Sequence, residues 1–323
     1  MIFNYKINVW ILIVNLKFTS SYKLNQIQLR LMIVITGSES FVGRELIKQL
    51  IKEKREVIGI DLVNEKSQNY EYIKMDICSN SITDIIPNNA EAIIHLAALS
   101  TDPLCKGKAY NCFNTNVMGT LNLMNTAMKK NVKQFIFASS EWVYSGFIYN
   151  EEKNEETIID ISKISSEYAL SKIVSETNLR QQYALGFCDI TILRFGIIYG
   201  KKNGNGSAVE SIAQKVKNGE KITIGSLKTG RRFVHVKDII KGIILSLGLE
   251  NFNIINLSGD KVNTLEEIIE ASQRIFHKKI EVAETDPNNP NIRNPSNRKA
   301  KKIINWEPEI DLEQGIKDLE SFL

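Results

Sequence analysis

From Met32 onward, short runs of aliphatic residues alternate with longer stretches whose apolar positions have helical spacing. The short runs are apolar at successive positions, which is typical of strands buried on both faces of a parallel sheet. The pattern therefore predicts strands that alternate with helices. The predicted strands are 32–36, 56–61, 72–75, 92–98, 134–140 and 189–195, and the predicted helices are 42–54, 114–130 and 165–183.

Right-handed crossovers between such strands give a Rossmann-type, doubly wound parallel sheet of the α/β class. The pattern loosens after Phe195, where loops rich in Gly, Asn and Lys occupy 200–206 and 225–230 and an Asn/Pro-rich stretch occupies 286–295. We expect a sheet domain and a smaller C-terminal α/β domain carried on it. The predicted sheet domain is 32–195 with 231–256 returning to it, and the predicted smaller domain is 196–230 with 257–323.

The first 31 residues do not share this pattern. Their apolar stretch, 7–16, contains Asn8 and Asn15 and is half as long as the roughly 20 residues that span a bilayer. No small-x-small cleavage site follows it, as a signal peptide would require. We expect residues 1–31 to be an extension outside the fold, with a peripheral anchor or a signal as alternatives, and we predict no membrane span elsewhere in the chain.

Composition narrows the function classes. The chain has 323 residues, 43% of them apolar, and a net charge of +4, which fits a globular protein. Its basic clusters are short and scattered, so nucleic-acid binding is not expected. Four cysteines without a CxxC pair indicate a reducing compartment, hence the cytoplasm, and three histidines without HExxH give no basis for a metal site.

The segment TGSESFVG (36–43) lies between the first predicted strand and helix. A glycine at Gly37 allows a tight turn, Gly43 allows helix and strand to approach closely, and the N–H groups at the helix start suit a pyrophosphate. The second strand ends at Asp61, where a carboxylate can accept ribose hydroxyls and would repel a 2′-phosphate. The glycine turn and Asp61 together predict a site for NAD rather than NADP. The alternative for the glycines is an ordinary strand-to-helix turn, and the alternative for Asp61 is a helix N-cap or loop acid.

Tyr168 and Lys172 are four residues apart in a predicted helix and so share one face. A nearby ammonium lowers the pKa of a phenol, which would make Tyr168 a usable base. Ser139 and Ser140 end a preceding strand, at the sheet edge where parallel α/β proteins bind ligands. Since this spacing also occurs on ordinary helices, the serines are what favour a catalytic interpretation.

These residues resemble the extended short-chain dehydrogenase/reductase family, in particular its NAD-dependent nucleotide-sugar epimerase/dehydratase branch. TGSESFVG resembles TGxxGFIG, and YALSK (168–172) is the YxxxK pair. Further similar segments, which extend the resemblance to the C-terminus, are HLAA (95–98), NVMGT (116–120), SSEWVYS (139–145), RFGIIYG (194–200), RRFVHVKD (231–238) and INWEP (304–308).

The resemblance implies an NAD-dependent 4-epimerase acting on a nucleotide-diphosphate sugar through a transient keto intermediate. Tyr168 would be the base, Ser140 would bond the same sugar oxygen, and Lys172 would hold the nicotinamide ribose and lower the pKa of Tyr168. Glu141 and Arg231 would contact substrate, Arg231 at the diphosphate. The implied NAD contacts are Gly37, Ser40, Phe41, Val42, Gly43, Asp61, Asp76, Ile77, Leu96, Ala97, Ala98, Asn116, Tyr168 and Lys172.

Other reactions of the family remain open: reduction, decarboxylation or dehydration of a sugar nucleotide or another alcohol, or NAD binding without catalysis. The resemblance also implies a homodimer formed through the helices 114–130 and 165–183.

Four departures from the family pattern bear on these expectations. Ser40 replaces a glycine and Glu39 adds a negative charge, so pyrophosphate binding is expected to be weaker or rearranged. Ile197 stands where many epimerases have an asparagine, and no second diphosphate-binding arginine is evident in VAETDP (282–287). Arg293 is nearby but does not align securely with that residue. Trp142 stands where dehydratases have a glutamate, although Glu141 is at the position of their aspartate. Because dehydration needs both acids, the tryptophan disfavours that reaction.

Overall fold

The computed structural model describes residues 32–323 except 65–68, 145, 148–150, 203 and 205. The predicted extension 1–31, with its apolar stretch, lies outside the described residues. The strands are β1 (Ile33–Thr36), β2 (Val57–Asp61), β3 (Glu71–Lys74), β4 (Ala92–His95), β5 (Gln134–Ser140), β6 (Asp189–Phe195), β7 (Ile197–Tyr199), β8 (Ile222–Ile224), β9 (Gly230–Arg231), β10 (Phe233–His235), β11 (Phe252–Leu257), β12 (Asn263–Thr264), β13 (Val282–Glu284) and β14 (Ile292–Arg293).

The largest sheet has seven strands in the order β3-β2-β1-β4-β5-β6-β11. All its neighbouring pairs are parallel. The order reverses at β1 and β4, which is the topological switch point of a Rossmann-type sheet. The predicted α/β class and parallel sheet are confirmed, and the predicted strand at 92–98 ends at His95.

Helices cover both faces of this sheet. The α-helices of the described residues are α1 (Phe41–Lys52), α2 (Ile82–Ile85), α3 (Asp102–Cys105), α4 (Ala109–Phe113), α5 (Gly119–Lys129), α6 (Glu167–Ala184), α7 (Ala208–Asn218), α8 (Val236–Leu245), α9 (Leu265–Phe276), α10 (Arg298–Ile304) and α11 (Leu312–Leu319). Of these, α7, α9 and α11 do not cover this sheet but share a separate apolar core in the C-terminal part. Several begin at a side-chain cap that satisfies otherwise unpaired N–H groups, as at Ser40, Ser166 and Thr264.

The predicted helix 114–130 is only partly α-helical. Residues 114–118 form a wide π turn before α5 begins. In this turn the Asn116 side chain bonds back to Leu99 and across to Ser171. The predicted helix is present over these five residues, but apolar spacing does not show which carbonyl each N–H meets, so the π hydrogen bonding was not predicted.

Alternate side chains of each strand enter two separate cores, one on each face of the sheet. Ile33 and Ile35 pack on one side with α1, α8 and Trp306, while Val34 packs on the other side with α5 and α6. This two-sided burial explains why the strands are apolar at successive positions.

The remaining strands form small sheets in the C-terminal part: β7 with β10, β12-β9-β14, and β8 with β13. The segment predicted to return to the sheet domain does so at β11, which pairs with β6, whereas β9 and β10 belong to the small sheets. The proposed division into two domains therefore stays a prediction. Among the described residues, no helix combines the length and apolarity needed to cross a membrane.

Trp306→Ala should lower the free energy of unfolding by about 3–5 kcal/mol, because it leaves a cavity in the core and removes a buried hydrogen bond. Trp306 is fully buried, and its Nε1 donates to the Asp238 carbonyl at 2.8 Å. Urea unfolding followed by circular dichroism measures this change. The control, Ile303→Ala, removes a side chain that is 38% exposed and should cost about 1 kcal/mol; equal losses would contradict this account of the core.

Candidate active site

Four segments with predicted functional residues meet at the carboxyl edge of the main sheet. Gly37 follows β1, Asp61 ends β2, Leu96 follows β4 and Ser140 ends β5. Since β1 lies between β2 and β4, and β4 pairs with β5, these side chains come from neighbouring strands. Parallel pairing thus brings together residues that are distant in sequence.

Close backbone contacts leave no room for a Cβ atom at Gly37 or Gly43, which flank the turn after β1. Gly37 has φ +73°, and a Cβ there would lie 2.7 Å from the Ala97 nitrogen. A Cβ at Gly43 would lie 2.2 Å from the Gly37 carbonyl oxygen. This close approach of strand, turn and helix is the cradle that a dinucleotide pyrophosphate requires, so the turn fits NAD.

Ser40, which replaces the family's glycine, is the N-cap of α1. Its Oγ accepts a hydrogen bond from the Gly43 nitrogen at 3.0 Å, so one N–H at the helix start has a protein partner. Phe41 and Val42 pack partly buried against the core beneath. The expected weakening or rearrangement of pyrophosphate binding stays a prediction.

Asp61 accepts hydrogen bonds from the turn that it faces. Its Oδ2 accepts a hydrogen bond from the Glu39 N–H at 2.9 Å, and its Oδ1 accepts one from the Leu62 N–H at 2.7 Å. The Glu39 carboxylate is itself 5% exposed and accepts the Tyr70 hydroxyl at 2.6 Å. The structure places Asp61 at the strand end that the ribose interpretation requires.

The other predicted NAD contacts differ in character. Asp76 is exposed and accepts the Cys78 nitrogen at 2.8 Å. Asn116 is buried, and its amide is engaged with both backbone groups of Leu99 and with Ser171. Asn116 therefore positions the loop after β4. Of the rest, Ile77 is buried, whereas Leu96, Ala97 and Ala98 are half-buried.

The three predicted catalytic residues come together where α6 crosses the end of β5. Tyr168 and Ser140 share a side-chain hydrogen bond. The Lys172 Nζ donates to the Ala138 carbonyl at 2.8 Å and lies 5.9 Å from the centroid of the Tyr168 ring. All three side chains are buried.

The expected lowering of the Tyr168 pKa by Lys172 was wrong. Burial raises the pKa of Tyr168 to about 12, the hydrogen bond from Ser140 opposes this, and the buried thiols Cys105 and Cys112 add to it. Burial also lowers the pKa of Lys172 to about 8. Desolvation disfavours the charged form of both groups and is the largest cause of both shifts.

Glu141 is a buried carboxyl group beside this triad. It is 1% exposed, and neither carboxylate oxygen has a hydrogen-bond partner among the described residues. Burial raises its pKa to about 7, while Arg293 and Arg231 oppose the rise. Glu141 therefore titrates near neutral pH between two cations.

Arg293 is the arginine near VAETDP that the sequence could not align with the family's second diphosphate-binding residue. It lies outside VAETDP, and the parallel pairing of β14 with β9 places it opposite Arg231. Its guanidinium stacks 4.4 Å from the Trp142 ring centroid and donates to the Tyr144 carbonyl at 3.1 Å. Only an Ile-Arg pair in an Asn/Pro-rich stretch hinted at this strand.

Comparison with known proteins identifies the family of this chain. The family model described as "NAD dependent epimerase/dehydratase family" matches residues 33–258. The chain belongs to this family. It is therefore an enzyme with NAD as its cofactor, which confirms the predicted resemblance, enzyme class and cofactor.

Proteins similar to this chain have names that describe different activities. UDP-glucuronate 4-epimerase of Thermodesulfobacterium geofontis is 28% identical, over 88% of this chain and 93% of that protein. UDP-glucuronic acid decarboxylase 5 of Arabidopsis thaliana is 25% identical, over 91% and 89%. UDP-glucose 4-epimerase of Thermotoga maritima has the same fold, with TM-score 0.82 and 22% identity over 90% and 98%. The chain is thus a member of a nucleotide-sugar epimerase and decarboxylase family.

Gly37→Ala should abolish NAD⁺ binding as measured by titration calorimetry, because the added Cβ pushes the turn away from Ala97. Gly219→Ala is the matched control: Gly219 has φ +74°, so it has the same backbone strain, but nothing lies within 4 Å of its Cβ position. Circular dichroism checks that both variants fold. Undiminished NAD⁺ affinity in Gly37→Ala would contradict the assignment of the cradle.

The raised pKa of Glu141 predicts a pH-dependent stability. The unfolded chain ionises this carboxyl near pH 4.5 and the folded chain near pH 7, so the folded protein holds the extra proton and loses stability as pH rises through that window. Relative to Glu141→Gln, the native protein should therefore become less stable between about pH 5 and about pH 8. Urea unfolding at several pH values measures the difference, and parallel profiles would refute it.

Proposed function

We propose that this enzyme interconverts the C4 epimers of a nucleotide-diphosphate sugar through a transient keto intermediate. The observation that supports this most directly is the buried triad of Ser140, Tyr168 and Lys172 at the strand edge that also carries the Gly37 turn. A phenol hydrogen-bonded to a hydroxyl, with an ammonium close by, is suited to moving the proton of a sugar alcohol.

The members of the triad have different roles. Tyr168 removes the proton from the sugar hydroxyl, Ser140 hydrogen-bonds the same oxygen, and Lys172 binds the nicotinamide ribose. NAD, when bound, supplies the acceptor and later the donor of the hydride. Because burial keeps the Tyr168 phenol protonated at neutral pH, the ammonium of Lys172 stabilises the phenolate that forms during transfer.

Substrate binding is assigned to Arg231, Arg293 and Glu141. Burial lowers the pKa of both arginines, and the carboxylate of Glu141 opposes that change. Two adjacent guanidinium groups in a sparsely hydrated site suit an anionic group of the substrate, either the diphosphate or a sugar carboxylate.

Decarboxylation of a nucleotide-linked uronic acid is the second candidate. Arg293, held over Trp142 beside Glu141, favours it because a guanidinium there could receive a carboxylate at the sugar. A ketone formed at C4 makes that carboxylate part of a β-keto acid, which loses CO₂ readily. The names of several relatives describe this activity.

We also propose a homodimer formed through α4, α5 and α6. Tyr110 in α4, Met118 in the π turn before α5 and Met128 in α5 are large apolar side chains that remain 83%, 54% and 45% exposed. Exposed apolar residues that share a surface are typical of subunit interfaces.

Tyr168→Phe should reduce turnover at least about 100-fold, since general base catalysis contributes about 10²–10⁴-fold, while NAD⁺ affinity stays close to native. Tyr183→Phe is the control, because it removes a hydroxyl from the far end of the same helix, where that hydroxyl bonds Asn251. UDP-glucose, UDP-glucuronate and UDP-N-acetylglucosamine serve as test substrates.

Proton NMR and mass spectrometry of the products separate the two candidate reactions. A 4-epimer has the mass of its substrate, whereas a decarboxylated product is lighter by one CO₂. Native turnover in Tyr168→Phe would overturn the assigned base. Loss of CO₂ from UDP-glucuronate would replace the proposed epimerisation by the second candidate.

A further inference from the structure

A buried ion pair lies one helical turn beyond the catalytic lysine. Glu176 follows Lys172 by four residues in α6, so their side chains share a face. The Arg194 guanidinium, from β6, donates its Nη2 to Glu176 Oε2 at 2.7 Å and its Nε to Oε1 at 3.1 Å. The carboxylate and the guanidinium are 6% and 3% exposed as residues, so this is a bidentate pair out of solvent.

The same carboxylate also contacts the strand that carries Ser140. Ser139 Oγ donates to Glu176 Oε1 at 2.5 Å. On its other side, Arg194 Nη1 donates to the Tyr144 hydroxyl at 2.9 Å, and that hydroxyl donates to Asn256 Oδ1 at 2.9 Å. The network therefore connects α6 with the ends of β5, β6 and β11, and it fixes the Glu176 carboxylate in one orientation.

A contribution to stability does not by itself explain why this ion pair is buried. Removing two charges from water costs about as much as their attraction returns, so apolar residues of similar volume often stabilise a core as well. The charge of Glu176 does have an effect on the site, because it is the largest influence that opposes the lowering of the Lys172 pKa by burial.

Few other charges face Lys172. Burial lowers the pKa of His95 to about 3 and raises those of Tyr168 and Cys105 to about 12, so these groups are neutral near pH 7. Among the described residues around it, Glu176 provides the negative charge. The remaining neighbours are the Cys112 thiol, the Phe137 ring and the Ala138 carbonyl.

We propose that Glu176 is a positioning residue that keeps Lys172 protonated, with Arg194 and Ser139 holding its carboxylate in place. The proposal rests on the proposed function, in which the Lys172 ammonium binds the nicotinamide ribose. Without the carboxylate, Lys172 loses its proton at a lower pH and then has one fewer N–H to donate.

The test is the pH dependence of NAD⁺ affinity, measured by titration calorimetry from about pH 6 to about pH 10. In the native enzyme affinity falls as pH rises through the titration of Lys172, and Lys172→Met removes this step. Glu176→Gln should move the midpoint down by about one pH unit or more, which makes binding about threefold weaker midway between the two midpoints and about tenfold weaker above both.

Two further variants make the result specific. Glu270→Gln removes an exposed carboxylate that pairs with Arg274, and its midpoint should equal that of the native enzyme. Glu176→Gln/Arg194→Met also removes the guanidinium that Glu176→Gln leaves buried without its partner, so it provides the measurement if Glu176→Gln does not fold, and its midpoint should also fall.

The outcomes distinguish the proposed role of Glu176 from the proposed role of Lys172. A native midpoint in a folded Glu176 variant, with the step still lost in Lys172→Met, would overturn the role of Glu176 alone. If Lys172→Met binds NAD⁺ with native affinity and pH dependence, the proposed role of Lys172 fails, and the role of Glu176 fails with it.

Discussion

Parallel strand pairing determines where chemistry can occur in this chain. In a parallel sheet the carboxyl ends of all strands lie at one edge, and here the register pairs Thr36 with both Ile60 and His95 and pairs Ser140 with Phe195. The turn that follows β1 is thereby pressed against the loop that follows β4, which leaves space for glycine alone at Gly37. The NAD cradle and the triad are consequences of the same pairing.

Burial determines how the assembled groups behave. The phenol of Tyr168, the ammonium of Lys172 and the carboxyl of Glu141 all have pKa values moved toward the neutral form. A site that disfavours charge makes each remaining charge more influential. The ion pair of Glu176 and Arg194 is therefore placed where it can affect the reaction, while it also joins the strand ends to α6.

Much of the fold could be predicted from the sequence because its signals are local, whereas the triad was predicted from its resemblance to the motifs of a known family. Apolar runs mark buried strands, and a spacing of four places Tyr168 and Lys172 on one helix face. The π turn at 114–118 escaped prediction because it depends on the hydrogen bonds of Asn116 to other segments. Arg293 could not be aligned with a family residue for a similar reason, since only the pairing of β14 with β9 brings it to Arg231.

The expected effect of Lys172 on Tyr168 failed for an energetic reason. Residue spacing indicates that the two groups are close, but it does not show how much water remains around them. The structure shows both side chains buried, and desolvation is then the largest influence on the pKa of Tyr168.

The most direct test of the central claim is the fate of the hydrogen at C4 of the sugar. The enzyme is incubated with whichever UDP-sugar it converts, labelled with deuterium at C4, and the product is analysed by NMR. A keto intermediate at C4 that stays in the dry site predicts that the deuterium returns to C4 with none lost to water. Exchange of that deuterium with solvent would contradict the account.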